Sequence, residues 1–254
     1  MLLALDAGNT NITVGIFRDG VLADHRRLRT VREQTSDELG ILMMGLLRYA
    51  SLDPADVDGI VVSSVVPPLN SAIAEMADRY FHTTAMFVTA ETDTGLKILY
   101  ESPAEVGADR IVNSVAALHK YGGPCVIVDL GTAITFDAVS ANAEYLGGII
   151  AAGIGISADA LFSRTARLPL VDFRKPAALI GTNTVSSMQS GLYFGAIGAI
   201  DGIVERLVQE LGPETRTIAT GGQAGLIAEG SRFIRHVDEN LTLEGLRIIR
   251  DRVR

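Results

Sequence analysis

An α/β fold made of two related halves, each with a mixed sheet and both facing one central cleft, is what this amino-acid sequence predicts. Three observations lead there. Short apolar runs of strand length alternate with segments of helical period along a chain of 254 residues. An apolar strand ending in an acid occurs twice, as Leu2-Leu3-Ala4-Leu5-Asp6 and as Cys125-Val126-Ile127-Val128-Asp129. Each copy runs into a turn of small residues, Ala7-Gly8-Asn9-Thr10 in one and Leu130-Gly131-Thr132-Ala133 in the other. So short a match also arises by coincidence. Read as a repeat, it divides the chain into halves 1–121 and 122–254, with the final helix free to pack back on the first half.

The elements follow in order. After the first turn a second strand runs from Ile12 to Phe17, Asp19-Gly20 turns the chain, and Val21 to Arg29 supplies a third strand. Thr35-Ser36-Asp37-Glu38 has the pattern of a capping box, opening a helix to about Tyr49. A strand from Gly59 to Val66 stops at Pro67-Pro68, which cannot continue a sheet. A helix from Leu69 to Tyr80 and a strand from Met86 to Thr89 come next. In the second half, Ile134 to Val139 returns along the acid-ended strand, a long amphipathic helix spans Val185 to Leu211, and Thr217-Ile218-Ala219 is a strand before Thr220-Gly221-Gly222.

Composition bounds the function. Apolar residues make up 48% of the chain against 20% charged, enough to fill a core and too apolar for a disordered chain. The net charge of −8 argues against a nucleic-acid binder. The two basic patches, His25-Arg26-Arg27-Leu28-Arg29 and the tail from Arg247 to Arg254, are expected to be solvated faces. One cysteine, Cys125, excludes an internal disulfide, and its apolar neighbours suit a buried, inert thiol. Asp6 interrupts the first apolar run, no basic segment precedes it, and no stretch is long enough to span a bilayer. A soluble, cytoplasmic protein is expected, with no membrane partner.

The turns suggest phosphate chemistry. Gly8 lets backbone approach an anion closely, Asn9 and Thr10 add donors, and Asp6 at the strand end suits Mg²⁺. For one such turn alone, a hairpin with a turn-stabilising Asp is the better explanation; two facing a cleft suit a triphosphate and its metal. Further along, Ser102-Pro103-Ala104-Glu105 fits a helix start that would place Asp109 and Arg110 within about two turns of it, where amides and dipole favour anions. An ordinary exposed Asp-Arg pair fits the same residues.

Asp6-Ala7-Gly8-Asn9-Thr10 with Asp129-Leu130-Gly131-Thr132-Ala133 resembles the paired phosphate motifs of the acetate and sugar kinase, Hsc70 and actin superfamily, whose halves are ribonuclease H-like. Adding Gly107-Ala108-Asp109-Arg110, Tyr145-Leu146-Gly147-Gly148 and Gly181-Thr182-Asn183-Thr184, in that order, the chain resembles the type III pantothenate kinases over essentially its full length. The resemblance implies ATP-dependent phosphorylation of pantothenate to 4'-phosphopantothenate, with Mg²⁺ and a monovalent cation, K⁺ or NH₄⁺. It implies Asp109 as catalytic base, and Asp6, Ala7, Gly8, Asn9, Thr10, Asn11, Ile12, Thr13 and Thr132 as ATP contacts. It further implies Tyr100, Gly107, Ala108, Asp109, Arg110 and Thr184 as pantothenate contacts, and Asp129 as ligand of the monovalent cation. Tyr100 also reads as a core aromatic. The Gly221-Gly222 pair is implied to lie near the adenosine. One departure stands out: Ala152 occupies a position where the family pattern carries Pro before Gly153, a change in loop stiffness more than in chemistry.

Type III enzymes are homodimers, and the resemblance implies that Thr184 reaches a partner's pocket. Gly191, Gly195, Gly198 and Gly202 lie within the long helix, where each weakens it by up to about 1 kcal/mol relative to Ala. Close approach of another backbone, from an internal helix or a second subunit, would account for them. A kinase for another small hydroxylated acceptor and a non-catalytic nucleotide-binding regulatory module are the alternatives to a pantothenate kinase.

Overall fold

The computed structural model describes residues 1–254, and the chain divides into two compact units. Met1–Ala116 and Leu241–Arg254 form the first, and Ala117–Asn240 the second.

The first unit opens with β1 (Leu2–Ala7), β2 (Asn11–Arg18) and β3 (Val21–Arg29), an antiparallel meander. Helix α1 (Ser36–Tyr49) follows the expected capping box: the Thr35 hydroxyl accepts from the Glu38 amide, and the Glu38 carboxylate accepts from the Thr35 amide at 2.8 Å. β4 (Gly59–Ser64) ends two residues early because Pro67 and Pro68 take the first helical positions of α2 (Pro67–Phe81), where a missing amide hydrogen is harmless. β5 (Ala85–Phe87) and the two-residue β6 (Lys97–Ile98) lead to α3 (Ala108–Tyr121).

The sheet of β1–β5 is ordered β3-β2-β1-β4-β5, with β4 parallel to β1 and β5 parallel to β4. Alternation decides its faces. Leu3, Leu5, Ile12, Val14, Ile60 and Val62 turn one way and pack with Leu39, Met43, Leu69 and Ile73 of α1 and α2.

The second unit repeats this plan. β7 (Cys125–Leu130), β8 (Ala133–Val139) and β9 (Glu144–Ala152) form another antiparallel meander. After α4 (Ile154–Ser163) and α5 (Thr184–Leu211), β10 (Arg216–Thr220) joins β7 in parallel. Helix α6 (Ala224–Ala228) then returns the chain to β11 (His236–Val237), parallel to β10. The order β9-β8-β7-β10-β11 carries the same directions as β3-β2-β1-β4-β5. The acid-ended strand is central in both. Val126, Val128 and Phe136 pack with Tyr193, Ile197, Ile200 and Val204 of α5. Cys125 is buried, and burial pushes its thiol pKa up to about 12, leaving it inert.

The chain ends with α7 (Leu241–Val253), which covers the other face of the first sheet against β1, β2 and β4. A Cβ at Gly245 would stand 2.3 Å from the Val112 carbonyl oxygen, so α7 and α3 need glycine there to meet. The Thr242 hydroxyl donates to the Asn113 side-chain oxygen at 2.7 Å beside that contact. No helix is long and apolar enough to cross a membrane.

Candidate functional site

In the first hairpin Asp6 lies opposite Thr13 and Ala7 opposite Ile12, leaving Gly8, Asn9 and Thr10 to turn the chain. The Gly8 amide donates across the turn to the Asn11 carbonyl at 3.0 Å. Thr30, just past β3, ties the turn down: its hydroxyl donates to the Gly8 carbonyl at 2.6 Å and its amide to the Thr10 carbonyl at 3.0 Å. Two of the turn's acceptors are thereby satisfied inside the chain, while Asn9 and Thr10 remain exposed. A Cβ at Gly8 would meet only the Asn11 carbonyl, at 3.2 Å. The space over Gly8 is otherwise open, as close approach of an anion requires.

β4 brings two small polar residues to the same edge. Ser63 pairs in register with Asp6, and Ser64 with Ala7. Ser63 is wholly buried and its hydroxyl has no hydrogen-bond partner, a state that costs about 1–3 kcal/mol in a protein interior. A strand-end acid, an uncovered glycine turn and a buried hydroxyl without a partner beside the acid fit a magnesium-bound nucleotide. No group of three or more His, Cys, Asp or Glu forms a metal cage. Mg²⁺ would be held here by one carboxylate and the phosphates it accompanies.

The Gly107–Arg110 segment arrives at this edge differently from the sequence expectation. Ser102-Pro103-Ala104-Glu105 does not open the helix; Pro103–Glu105 makes a single 3₁₀ turn, the Ser102 side chain caps nothing, and Val106 returns to extended backbone. Gly107 then starts α3 afresh, its carbonyl accepting from the Arg110 and Ile111 amides at 3.1 and 3.2 Å. Asp109 and Arg110 consequently fall in the first turn of α3 itself. The Asp109 Oδ1 accepts from the Arg110 amide at 2.8 Å and folds over Gly107, where a Cβ would lie 2.5 Å from it. The same Cβ would be 3.6 Å from Val65 Cγ1, and the Val65 amide donates to the Ala7 carbonyl at 3.0 Å. Asp109 is thus seated at the carboxyl ends of β1 and β4, the edge on which the Asp6 turn lies.

Burial raises the Asp109 pKa above the usual carboxylate value, and the hydrogen bond from the Arg110 amide and the nearby Arg110 guanidinium lower it by less. The residue nevertheless keeps part of its surface exposed.

In the second unit Asp129 lies opposite Thr135 and Leu130 opposite Ile134. The Gly131 amide donates to the Ala133 carbonyl at 3.1 Å. Two glycine loops crowd this hairpin. A Cβ at Gly153, which caps α4, would lie 2.0 Å from the Thr132 carbonyl oxygen. One at Gly221, where φ is +92°, would lie 2.7 Å from Asp129 Oδ1. Ala152 ends β9 opposite Ala133, immediately before the capping glycine.

Thr184 is the first residue of α5, after an Asn183 side chain that accepts from the Ser186 amide at 2.9 Å. It lines a cavity of about 730 Å³ with Asn183, Leu161, Leu168, Met188 and Leu192. A Cβ at Gly191, Gly195 or Gly198 would meet nothing within 4 Å, so no internal helix approaches these three glycines. Tyr100 is half-buried between β6 and the 3₁₀ turn, neither a core aromatic nor fully exposed.

Within the first unit, then, Asp6 to Thr13 and Gly107 to Arg110 share one edge through Val65; within the second, Asp129 and Thr132 share a glycine-packed turn. Sequence reasoning missed Ser63 and Thr30. A small polar residue ending an otherwise apolar strand was the available signal for Ser63, and a hydroxyl ending a basic strand for Thr30.

Residues 2–206 match the family model described as type III pantothenate kinase. A type III pantothenate kinase of Solibacter usitatus is 64% identical over 99% of this chain and 97% of that protein. One of Koribacter versatilis is 53% identical over 99% and 96%. Among solved structures, component A of the (R)-2-hydroxyglutaryl-CoA dehydratase of Acidaminococcus fermentans aligns with a TM-score of 0.51 at 14% identity, over 98% of this chain and 95% of that one. At that identity the likeness concerns fold alone.

Proposed function

The chain belongs to the type III pantothenate kinase family, and from that premise we propose how its residues carry out the transfer. The reaction is ATP-dependent phosphorylation of pantothenate, the entry to coenzyme A synthesis, with a divalent metal accompanying ATP. Its halves have the actin-like α/β fold of the sugar kinases.

Asp109 is the base in this reading. The pantothenate hydroxyl oxygen bonds to the γ-phosphorus, the bond from that phosphorus to the β,γ-bridging oxygen breaks, ADP leaves with the electron pair, and the hydroxyl proton passes to Asp109. Phosphoryl transfer has a loose transition state, so placing the hydroxyl and offsetting charge matter more than base strength. Asp6 through Thr13 wraps the phosphates, with Asp6 toward Mg²⁺ and Thr132 as a further ATP contact. Asp129 binds K⁺ or NH₄⁺. Tyr100, Gly107, Ala108, Arg110 and Thr184 bind pantothenate. Two copies of the chain associate along α5, with Thr184 completing the partner's pocket, and the enzyme works in the cytoplasm. The uncovered stripe Gly191, Gly195, Gly198, beside exposed Phe194 and Val185, supports that association.

The observation that carries the reading is the placement of a partly open Asp109 at the edge that holds Asp6. Coupled ADP release with pantothenate, with and without K⁺ or NH₄⁺, tests it. Asp109→Asn should lower kcat by about 10²–10⁴ with the fold intact; near-normal turnover would remove Asp109 from the role. Turnover on other hydroxylated acceptors but not on pantothenate would redirect the substrate assignment. Full activity of a strictly monomeric protein would reject the shared pocket.

A further inference from the structure

Strand β3 holds three arginines in the run Arg26-Arg27-Leu28-Arg29, and the fold sorts them. Successive residues of a strand face opposite sides. Arg26 faces α1: its guanidinium lies 5.8 Å from the Tyr49 ring centre and pairs with Asp24 at 2.9 Å. Leu28, on the same side, joins the core beneath α1 and α2. Arg27 and Arg29 therefore stand on the other side. Both are exposed, and neither has an acidic partner.

That other side is the face of Asp6. Arg27 lies directly opposite Thr13, Thr13 opposite Asp6, and Asp6 beside Ser63. Directly opposed residues project from the same face, so Arg27, Thr13, Asp6 and Ser63 form one row across four strands. Arg29 pairs with Asn11, at the turn's edge. Thr30, the next residue, makes the two hydrogen bonds that fasten this end of β3 to Gly8 and Thr10. The two arginines are consequently fixed beside the turn, about 10 Å or two strand spacings from β1, a gap that a guanidinium side chain and a bound polyphosphate close together.

Edge strands often carry charge to prevent pairing with other chains. That explains a basic edge but not its sorting, in which one guanidinium is paired and the two facing Asp6 are not. On a chain of net charge −8, a polyanion needs local cations. We propose that Arg27 and Arg29 form a cationic flank that binds the terminal phosphates of the nucleoside triphosphate held by the Asp6 turn. The proposal rests on the kinase reading. Arginine suits the task because its planar donors match phosphate oxygens in pairs.

The test compares Arg27→Gln, Arg29→Gln and the double variant with Arg26→Gln, whose side chain faces away. Calorimetric titration of each protein with Mg-ATP, Mg-ADP and AMP, without pantothenate, gives binding apart from turnover. Each single variant should weaken Mg-ATP binding about 5- to 20-fold, the double variant further, and AMP binding within about twofold; Arg27→Lys should recover part of the loss. Steady-state assays should show a raised KM for ATP with kcat little changed, while Arg26→Gln behaves as wild type. Thermal midpoints within a few degrees would exclude misfolding as the source. If Arg27→Gln and Arg29→Gln bind Mg-ATP like Arg26→Gln, or lose AMP binding equally, the flank is not a phosphate site. Wild-type protein that binds no Mg-ATP would overturn the kinase reading itself.

Discussion

The two acidic hairpins share strand order, strand directions and a carboxylate at the end of the central strand, yet they are held in different ways. The first turn is fastened from the side by Thr30 and leaves Gly8 almost uncovered. The second is gripped by its own chain, with Gly153 pressed on the Thr132 carbonyl and Gly221 beneath the Asp129 carboxylate. Glycine therefore means two things in one molecule. At Gly153 and Gly221 it is required by neighbours already present; at Gly8 a Cβ would meet a single carbonyl oxygen, and the open room is what the proposed phosphate contact would use.

The largest effect follows from that contrast. Gly153→Ala puts a methyl within 2.0 Å of a backbone oxygen that belongs to a paired hairpin and cannot swing aside. Overpacking against rigid backbone should destabilise the protein by about 3 kcal/mol or more, read as a lowered urea midpoint. An unchanged midpoint would mean that the Gly131–Ala133 turn yields, and the grip on the second hairpin would be illusory.

Gly8→Ala should behave in the opposite manner. Its methyl meets a single carbonyl oxygen at 3.2 Å, so the urea midpoint should move by less than about 1 kcal/mol. The methyl instead occupies space proposed for phosphate, and KM for ATP should rise by about tenfold, equivalent to about 1.4 kcal/mol of binding. Equal losses of stability at Gly8 and Gly153 would erase the distinction between the hairpins.

Much of this was legible in the sequence, for reasons that differ by residue. The strand-end acids, the small-residue turns and the Thr35 capping box are local patterns, and local hydrogen bonding makes them what they are. The duplicated strand order could be expected from the repeated motif because each copy opens an antiparallel hairpin on the acid-ended strand, although the second turn is one residue shorter than the first. The start of α3 could not be read correctly: Ser102-Pro103-Ala104-Glu105 has a proper helix signature, but Val106 leaves helical backbone and Gly107 restarts it. Ser63 and Thr30 were missed since their importance lies in strand pairing, a contact between segments distant in sequence. The same is true of the arginines on β3, which composition alone presents as one solvated patch and which pairing separates into two faces.

Asp109 offers the smallest and sharpest comparison, between an acid at the first hairpin's edge and the buried acid of the second sheet. Asp137 is wholly buried and accepts from the Tyr145 hydroxyl at 2.8 Å, a side-chain bond that serves the fold. Asp109 instead accepts from the amide of its own neighbour, and burial outweighs that help and raises its pKa. A raised carboxyl pKa means that the folded protein holds the proton more tightly than the unfolded chain. Its contribution to stability is greatest below the ordinary value of 3.8 and is lost as pH rises through the raised value. Near neutral pH, Asp109 is therefore a burden on the fold, which the proposed role as base would explain. Asn keeps the acceptor for the Arg110 amide and never ionises, so Asp109→Asn should be modestly more stable than wild type at pH 7, and the advantage should shrink as the solution is acidified toward pH 3.8. Urea titrations of both proteins across that range read the difference directly. Parallel curves, with no narrowing in acid, would show that Asp109 ionises as freely in the folded protein as in the open chain, and the contrast between an acid that burdens the fold and one that supports it would fail.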